Sequence, residues 1–440
     1  MARILFKGGR LVDPACRRDG NFDVLVADGV VIKVDRDLSA DDARIVTIPA
    51  GLVLCPGLID MHVHLRDPGQ EHKETIATGV AAGVAGGFVG LACMPNTNPV
   101  NDHAGITEEI LRKAAAAGLA RVYPIGAVSV GSKGEQLTEI GELKAAGCVA
   151  ISDDGHPVAE ALMMRRALEY ASMFKIPVIN HCEDLSLKGD GVAHEGHRAL
   201  VLGLRGIPSA AEEIMVERDV SLSELTGGAV HIAHMSVRGA LRSVRSGKTR
   251  GVRVTCEVTP HHFTMTDEQL DYDTNTKMNP PLRATADREA MIEGLVDGSI
   301  DVIATDHAPH HADEKAVEFD RAPFGIIGLE TAVPLTLDRL VHTGLLSLSR
   351  VVELLASNPA RILGIQGGSL AVGAPAHITV LAPDVTTEVA ARDFRSKGRN
   401  TPFEGWTLRG AVAATIIDGQ TVYINEKVTG ASAFRMEALA

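Results

Sequence analysis

From residue 58 to residue 304 the chain repeats one rhythm: a short apolar run, a polar step, then a stretch with helical spacing. The apolar runs span residues 58–63, 87–94, 120–126, 147–151, 177–180, 229–233, 252–257 and 301–304. Segments such as EEILRKAAAAG, EALMMRRALEYASMF and DREAMIEGLVDG lie between them. Strands buried on both faces read as continuous apolar runs, and strands that alternate with helices imply β-α-β units. Eight such units in about 300 residues predict a (β/α)8 barrel of the TIM type. A doubly wound open sheet has the same rhythm and stays open as the alternative.

The two ends of the chain read differently. Residues 3–55 and 368–428 carry short alternating runs punctuated by Gly and Asp-Gly turns, which is a β pattern. The expected organisation is a small β-sandwich formed by both chain ends, with residues 1–55 and 366–440 as its parts. The barrel over 56–365 is inserted between them.

Composition narrows the classes. The 440 residues carry a formal net charge of −13, a field that repels phosphate backbones and argues against nucleic-acid binding. Only 3% of residues are aromatic, so the core must be built from Val, Ile, Leu and Ala. The six cysteines form no C-x-x-C pair and suggest no disulfide framework. Residues 75–101 lack charge, but five glycines and two prolines interrupt them, so a short helix and a buried strand are expected rather than a membrane span. The start of the chain has no long apolar stretch and does not read as a signal peptide, so a cytoplasmic protein is expected.

The chemistry follows the runs. The first ends in His62-Val63-His64, the fourth leads to Asp153-Asp154-Gly155, and the fifth to His181-Cys182-Glu183-Asp184. The sixth leads to His234 and the eighth to Asp306-His307. In a barrel these C-terminal strand ends converge on one mouth, where active sites are built. His62 and His64, two apart on a strand, share a face. Imidazole and carboxylate together suit zinc and similar divalent ions. Each position alone is better explained as structural; the set points to a metal centre. Among the other histidines, His231 is expected to pack on the opposite strand face, and His261 and His262 to stand behind the ligands. One of His307, His310 and His311 is a candidate substrate contact. There is no G-x-S-x-G elbow, and Gly126-x4-Gly131 continues Ser-Lys, the wrong order for a phosphate loop. Cys182 reads as an inert buried thiol rather than a nucleophile.

The motifs carry a resemblance. PGLIDMHVHLRDPG (56–69) resembles the amidohydrolase superfamily signature in its cyclic-amidase form. With Met94-Pro95-Asn96-Thr97, the Asp153-Asp154-Gly155 turn, NHCED, EVTPHH, KMNPPLR and ATDHAPH, the whole chain is similar to the class I bacterial dihydroorotases. The resemblance implies reversible hydrolysis of dihydroorotate to N-carbamoyl-aspartate, in pyrimidine biosynthesis. It implies His62 and His64 as ligands of a first metal, His181 and His234 of a second, and Asp306 as the catalytic aspartate that also binds metal. Arg66, Asn96, Asn279, His310 and the Phe324–Gly325 pair match substrate-holding positions. Many relatives bridge two metals with a carboxylated lysine after strand four. Here no lysine lies between Lys144 and Lys175, and Asp154 is expected in its place, with Asp153 as the fallback. Zn2+ is the implied metal, two ions per subunit ahead of one.

Rival readings remain. Another cyclic amidase, such as allantoinase, hydantoinase or dihydropyrimidinase, shares the signature. Arg66, suited to a substrate carboxylate, and the missing lysine favour dihydroorotase. A silent homologue that partners aspartate transcarbamoylase is the other rival, and the complete histidine set argues against it. An active enzyme that docks to the transcarbamoylase, or a homo-oligomer, stays open. The loops at 184–208 and 308–323 are candidate lids, with plain surface loops as the equal alternative.

Overall fold

The structure is a computed structural model and describes residues 3–429. Eight strands form one parallel sheet: β1 (Leu58–Val63), β2 (Phe88–Cys93), β3 (Arg121–Gly126), β4 (Ala150–Ile151), β5 (Val178–Asn180), β6 (Val230–Ile232), β7 (Val254–Val258) and β8 (Val302–Ile303). They follow one another in chain order, and each falls on one of the eight apolar runs. The sheet curls until its two edges meet. Val63 bridges His307 in parallel, the His64 amide donates to the His307 carbonyl at 2.8 Å, and Asp60 Oδ1 accepts the Thr305 amide at 3.1 Å. An open doubly wound sheet would leave β1 and β8 apart, so the barrel reading holds.

Packing follows the low aromatic content. Met61, Ala92, Ile125, Ala150, Ile179, Ala233 and Val302 fill the inside of the barrel. Val, Leu, Ile, Ala and Met side chains pack between the strands and the outer helices. The uncharged segment after Glu74 resolves as a helix, Ile76–Ala85, capped by the Thr75 hydroxyl, followed by β2, as its glycines and prolines foretold. No described helix is long and apolar enough to cross a membrane.

Both chain ends build the second unit. One sheet orders Val30–Asp35, Asp23–Ala27, Arg3–Lys7 and Arg44–Thr47. The other orders Gln420–Ile424, Thr407–Ile417, Ile378–Glu388, Val53–Pro56, Arg10–Asp13 and Arg18–Asn21. The six-stranded sheet therefore mixes strands from both ends of the chain. Phe6, Leu11, Val24, Leu54, Ile378, Val380 and Ile416 bury the space between the two sheets. Val53–Pro56 runs through Gly57 directly into β1, and Thr379 Oγ1 accepts the Leu58 amide at 3.2 Å. The sandwich thus anchors the strand that carries His62.

Candidate metal centre

At the C-terminal mouth of the barrel four imidazoles and two carboxylates converge. His62, at the end of β1, is fully buried, and His64, Asp154, His181, His234 and Asp306 are nearly so. His62, His64 and Asp154 bring ligand atoms within 4.8 Å of one another, and so do Asp154, His181 and His234. Asp154 belongs to both triads: its Oδ1 lies 3.5 Å from His62 Nε2 and 3.6 Å from His234 Nε2, while Oδ2 lies 3.4 Å from His64 Nε2. Asp306 Oδ1 sits 3.0 Å from His64 Nε2. His181 Nδ1 and His234 Nε2 approach to 2.8 Å. Asp153, the fallback position, points elsewhere. It accepts the Val128 and Ser129 amides and the Ser129 hydroxyl, and so anchors a loop.

Three of the four rings are held from their outer side, while His234 Nδ1 has no partner. Glu257 Oε1 takes His62 Nδ1 at 2.6 Å, Asn96 Oδ1 takes His64 Nδ1 at 2.9 Å, and Glu183 Oε2 faces His181 Nε2 at 3.4 Å. With the outer nitrogen holding the proton, the other lone pair points inward, as in a carboxylate–histidine–metal arrangement. His62 Nε2 and Asp154 Oδ1 have no hydrogen-bond partner although both are buried. Buried polar atoms are rarely left unpaired, and these two aim at one point. Burial alone would keep the His62 ring neutral; Asp154 and Glu257 overcome it and raise its pKa well above the ordinary value. The cluster therefore calls for positive charge between its carboxylates. A divalent ion with N and O ligands supplies that, and the donor set fits zinc-type chemistry.

Asp306 lies in the same field. Burial would raise its pKa, but the hydrogen bond from His64 and the imidazoles of His62, His64 and His234 hold it well below the carboxylate range. It is an ionised carboxylate among the candidate ligands. Arg66, His234 and Asp306 have φ of +61°, +31° and +49°. Such left-handed backbone is costly for residues other than glycine and gathers at functional sites.

A cavity of about 450 Å³ opens over this cluster, and every substrate position named from sequence lines it: Arg66, Asn96, Asn279, His310, Phe324 and Gly325. Burial pulls the Arg66 pKa down to about 10, which leaves it charged at neutral pH. Asn279 Nδ2 reaches Glu183 Oε2 at 3.1 Å, and its Oδ1 is unpaired. His310 braces the far wall, with Nε2 2.9 Å from the Phe324 carbonyl. Burial, with Arg66 and Lys315 adding to it, pushes the His310 pKa down to about 3, so its ring is neutral. Gly325 is a position only glycine fits: φ is +122°, and a Cβ would meet the Ala308 Cβ at 2.7 Å.

Several residues differ from expectation. His231 points into the barrel rather than against the helices, and its Nε2 meets Glu257 Oε2 at 3.1 Å. The counting failed because β6 ends at Ile232 and the chain turns before His234, so strand alternation no longer relates the two. His307 faces Glu74 and the Gly328 amide, and His311 caps a short helix. His262 holds the Pro280 carbonyl beside Asn279 at 3.1 Å. Glu257 and Glu183 were missed as partners of the ligands, although each stands at or beside the end of a predicted strand. Asn400 was also missed. Its side chain joins the His310 amide to the Ala308 and Gly325 carbonyls, and no local signal marks it.

The barrel and the ligand cluster at its mouth are those of a metal-dependent hydrolase. Residues 51–240 match the family model described as dihydro-orotase-like, and residues 247–423 match an amidohydrolase family model. The dihydroorotase of Geobacter sp. (strain M21) is 54% identical over 421 residues, 96% of this chain and 99% of that one. The dihydroorotase of Acetivibrio thermocellus is 52% identical over 97% of this chain and 100% of its own. Among solved structures, L-hydantoinase (dihydropyrimidinase) from Arthrobacter aurescens aligns with a TM-score of 0.85 at 25% identity, covering 96% of each chain. Dihydropyrimidinase from Brevibacillus agri, at 21% identity and a TM-score of 0.83, covers 98% of this chain and 97% of its own and shares the fold. The chain belongs to the dihydroorotase family.

Proposed function

We propose that the protein catalyses the reversible hydrolysis of dihydroorotate to N-carbamoyl-aspartate, a step of pyrimidine biosynthesis, with two zinc ions in the mouth of the barrel. The observation that carries the reading is Asp154, one carboxylate shared by two ligand triads, set below a cavity that Arg66 lines. His62, His64, Asp154 and Asp306 would hold one ion; Asp154, His181 and His234 the other. Ions held there supply Lewis acidity toward the ring carbonyl and toward the attacking water. Asp306, ionised and adjacent, accepts the proton of that water and returns it to the ring nitrogen as the C–N bond breaks. Arg66 binds the substrate carboxylate through its planar fork, with Asn96, Asn279 and His310 around it.

The decisive experiment combines metal analysis of the purified protein with turnover of dihydroorotate, allantoin and dihydrouracil. Two zinc per chain and a preference for dihydroorotate support the reading. Preference for either other ring, or full activity after metal removal, overturns it. Six cysteines without a disulfide among the described residues suit a reducing compartment, and we place the enzyme in the cytoplasm. Docking to aspartate transcarbamoylase and self-association belong to this proposal too, and cosedimentation tests both.

A further inference from the structure

Two lysines beside the cavity are buried: Lys277 is 2% exposed and Lys315 7%. A buried ammonium is costly unless its hydrogens find acceptors. Here the acceptors are all backbone carbonyls. Lys277 Nζ donates to Phe319 at 2.8 Å and Asp320 at 3.0 Å. Lys315 Nζ donates to Thr274 at 2.9 Å, to Pro323 at 2.8 Å and to Lys277 at 3.4 Å.

The pattern joins two segments that wall the cavity. One, residues 274–279, ends in Asn279; the other, residues 315–325, ends in Phe324–Gly325. The Thr274 hydroxyl donates to the Lys315 carbonyl at 2.6 Å, and the Gly325 amide to the Lys277 carbonyl at 2.9 Å. Lys277 Nζ also lies 4.7 Å from the centre of the Phe324 ring, a cation–π distance. Each lysine thus reaches across from its own segment to carbonyls of the other, and loop carbonyls that would otherwise need water are satisfied.

We infer that Lys277 and Lys315 are positioning residues: they set the gap between Asn279 on one wall and Phe324–Gly325 on the other, without touching the metal ligands. This rests on the reading that the cavity holds dihydroorotate. Error in that gap weakens contacts to bound substrate while the reacting end stays built, so the loss falls on KM.

The test uses the metal-loaded enzyme and the Lys277→Met and Lys315→Met variants. Metal content, kcat and KM for dihydroorotate, and amide hydrogen exchange over residues 316–325 are measured together. We expect unchanged metal content, KM raised at least tenfold with kcat within about threefold, and exchange at least tenfold faster in that segment. Should either variant fail to fold, Thr274→Val deletes one cross-link and is expected to speed exchange in the same segment. Unchanged KM, or a loss carried by kcat or by metal content, overturns the positioning role. Unchanged exchange in every folded variant overturns the cross-link. Wild-type protein inert toward dihydroorotate overturns the functional reading alone, since exchange still judges the gap.

Discussion

Glu257 Oε1 lies 2.6 Å from His62 Nδ1, and the other oxygen of the same carboxylate lies 3.1 Å from His231 Nε2. One buried acid therefore fixes the ring that ends β1 and ties it to β6. Glu257→Gln keeps the shape and removes the charge. Loss of such an outer partner costs about 10- to 100-fold in metal affinity. Chelator competition on the folded variant reads this directly, and unchanged retention of metal would refute the role given to Glu257.

Asp153 and Asp154 are neighbours with separate tasks. Asp154→Ala is expected to lower bound metal from two ions to one or none and to abolish turnover. Asp153→Ala should retain its metal but lose roughly 3 kcal/mol of stability, because a loop amide pair and a hydroxyl lose their buried acceptor. Metal content and denaturant unfolding, measured on both variants, separate them. If Asp153→Ala loses metal and Asp154→Ala does not, the assignment is reversed.

Asp306→Asn keeps the volume of the side chain but cannot take a proton from water. Turnover should fall at least a thousandfold, beyond the 100- to 10,000-fold range's lower half that general acid–base catalysis contributes, with dihydroorotate still binding. Isothermal titration of the variant gives the binding half of the prediction. Retained turnover would remove Asp306 from the proton path.

Gly325→Ala places a methyl group 2.7 Å from the Ala308 Cβ at a φ of +122°. The wall must shift, and about tenfold in kcat/KM should be lost. Metal content should not change, because no candidate ligand lies on that segment. Wild-type kinetics in this variant would show that the wall has slack.

Glu330 gives a pH dependence unrelated to metal. Its carboxylate accepts the Arg395 and Ser396 amides, and burial pushes its pKa up to about 7, with Glu74 adding to the shift. The unfolded chain releases this proton near 4.5. Between those values the folded state holds more protons, so its stability contribution is present at low pH and is lost as pH rises through about 7. Glu330→Gln should flatten the fall in stability between pH 5 and 8 and be the more stable protein at pH 8. An equal fall in urea-derived stability from pH 5 to pH 8 in wild type and variant would refute this.

The barrel was legible because β1 to β8 are buried on both faces, which writes them as apolar runs, and because five of the eight runs lead to a His or Asp. His62, His64, His181, His234, Asp154 and Asp306 were readable for the same reason: they sit at or just past strand ends. What failed needed three dimensions. His231 was misread because alternation stops where the strand stops. Asn400 comes from beyond the barrel, and Lys277 and Lys315 act through carbonyls, which leave no mark in side-chain pattern. Glu257 was visible as a carboxylate ending an apolar run, but only the fold brings it beneath His62.

The shared sheet has a consequence for synthesis. Val53–Pro56 pairs with Ile378–Glu388, so the first half of that sheet leaves the ribosome with one side unmatched. At about 5–20 residues per second, the partner strand follows roughly 15–60 s later. During that interval Val53–Pro56 presents an open edge to every neighbouring nascent chain. A stalled chain that ends before residue 378 should therefore be cut by protease within residues 3–56, and release to full length should close that window. The strand that leads into the candidate metal centre is among the earliest made and among the last to be secured.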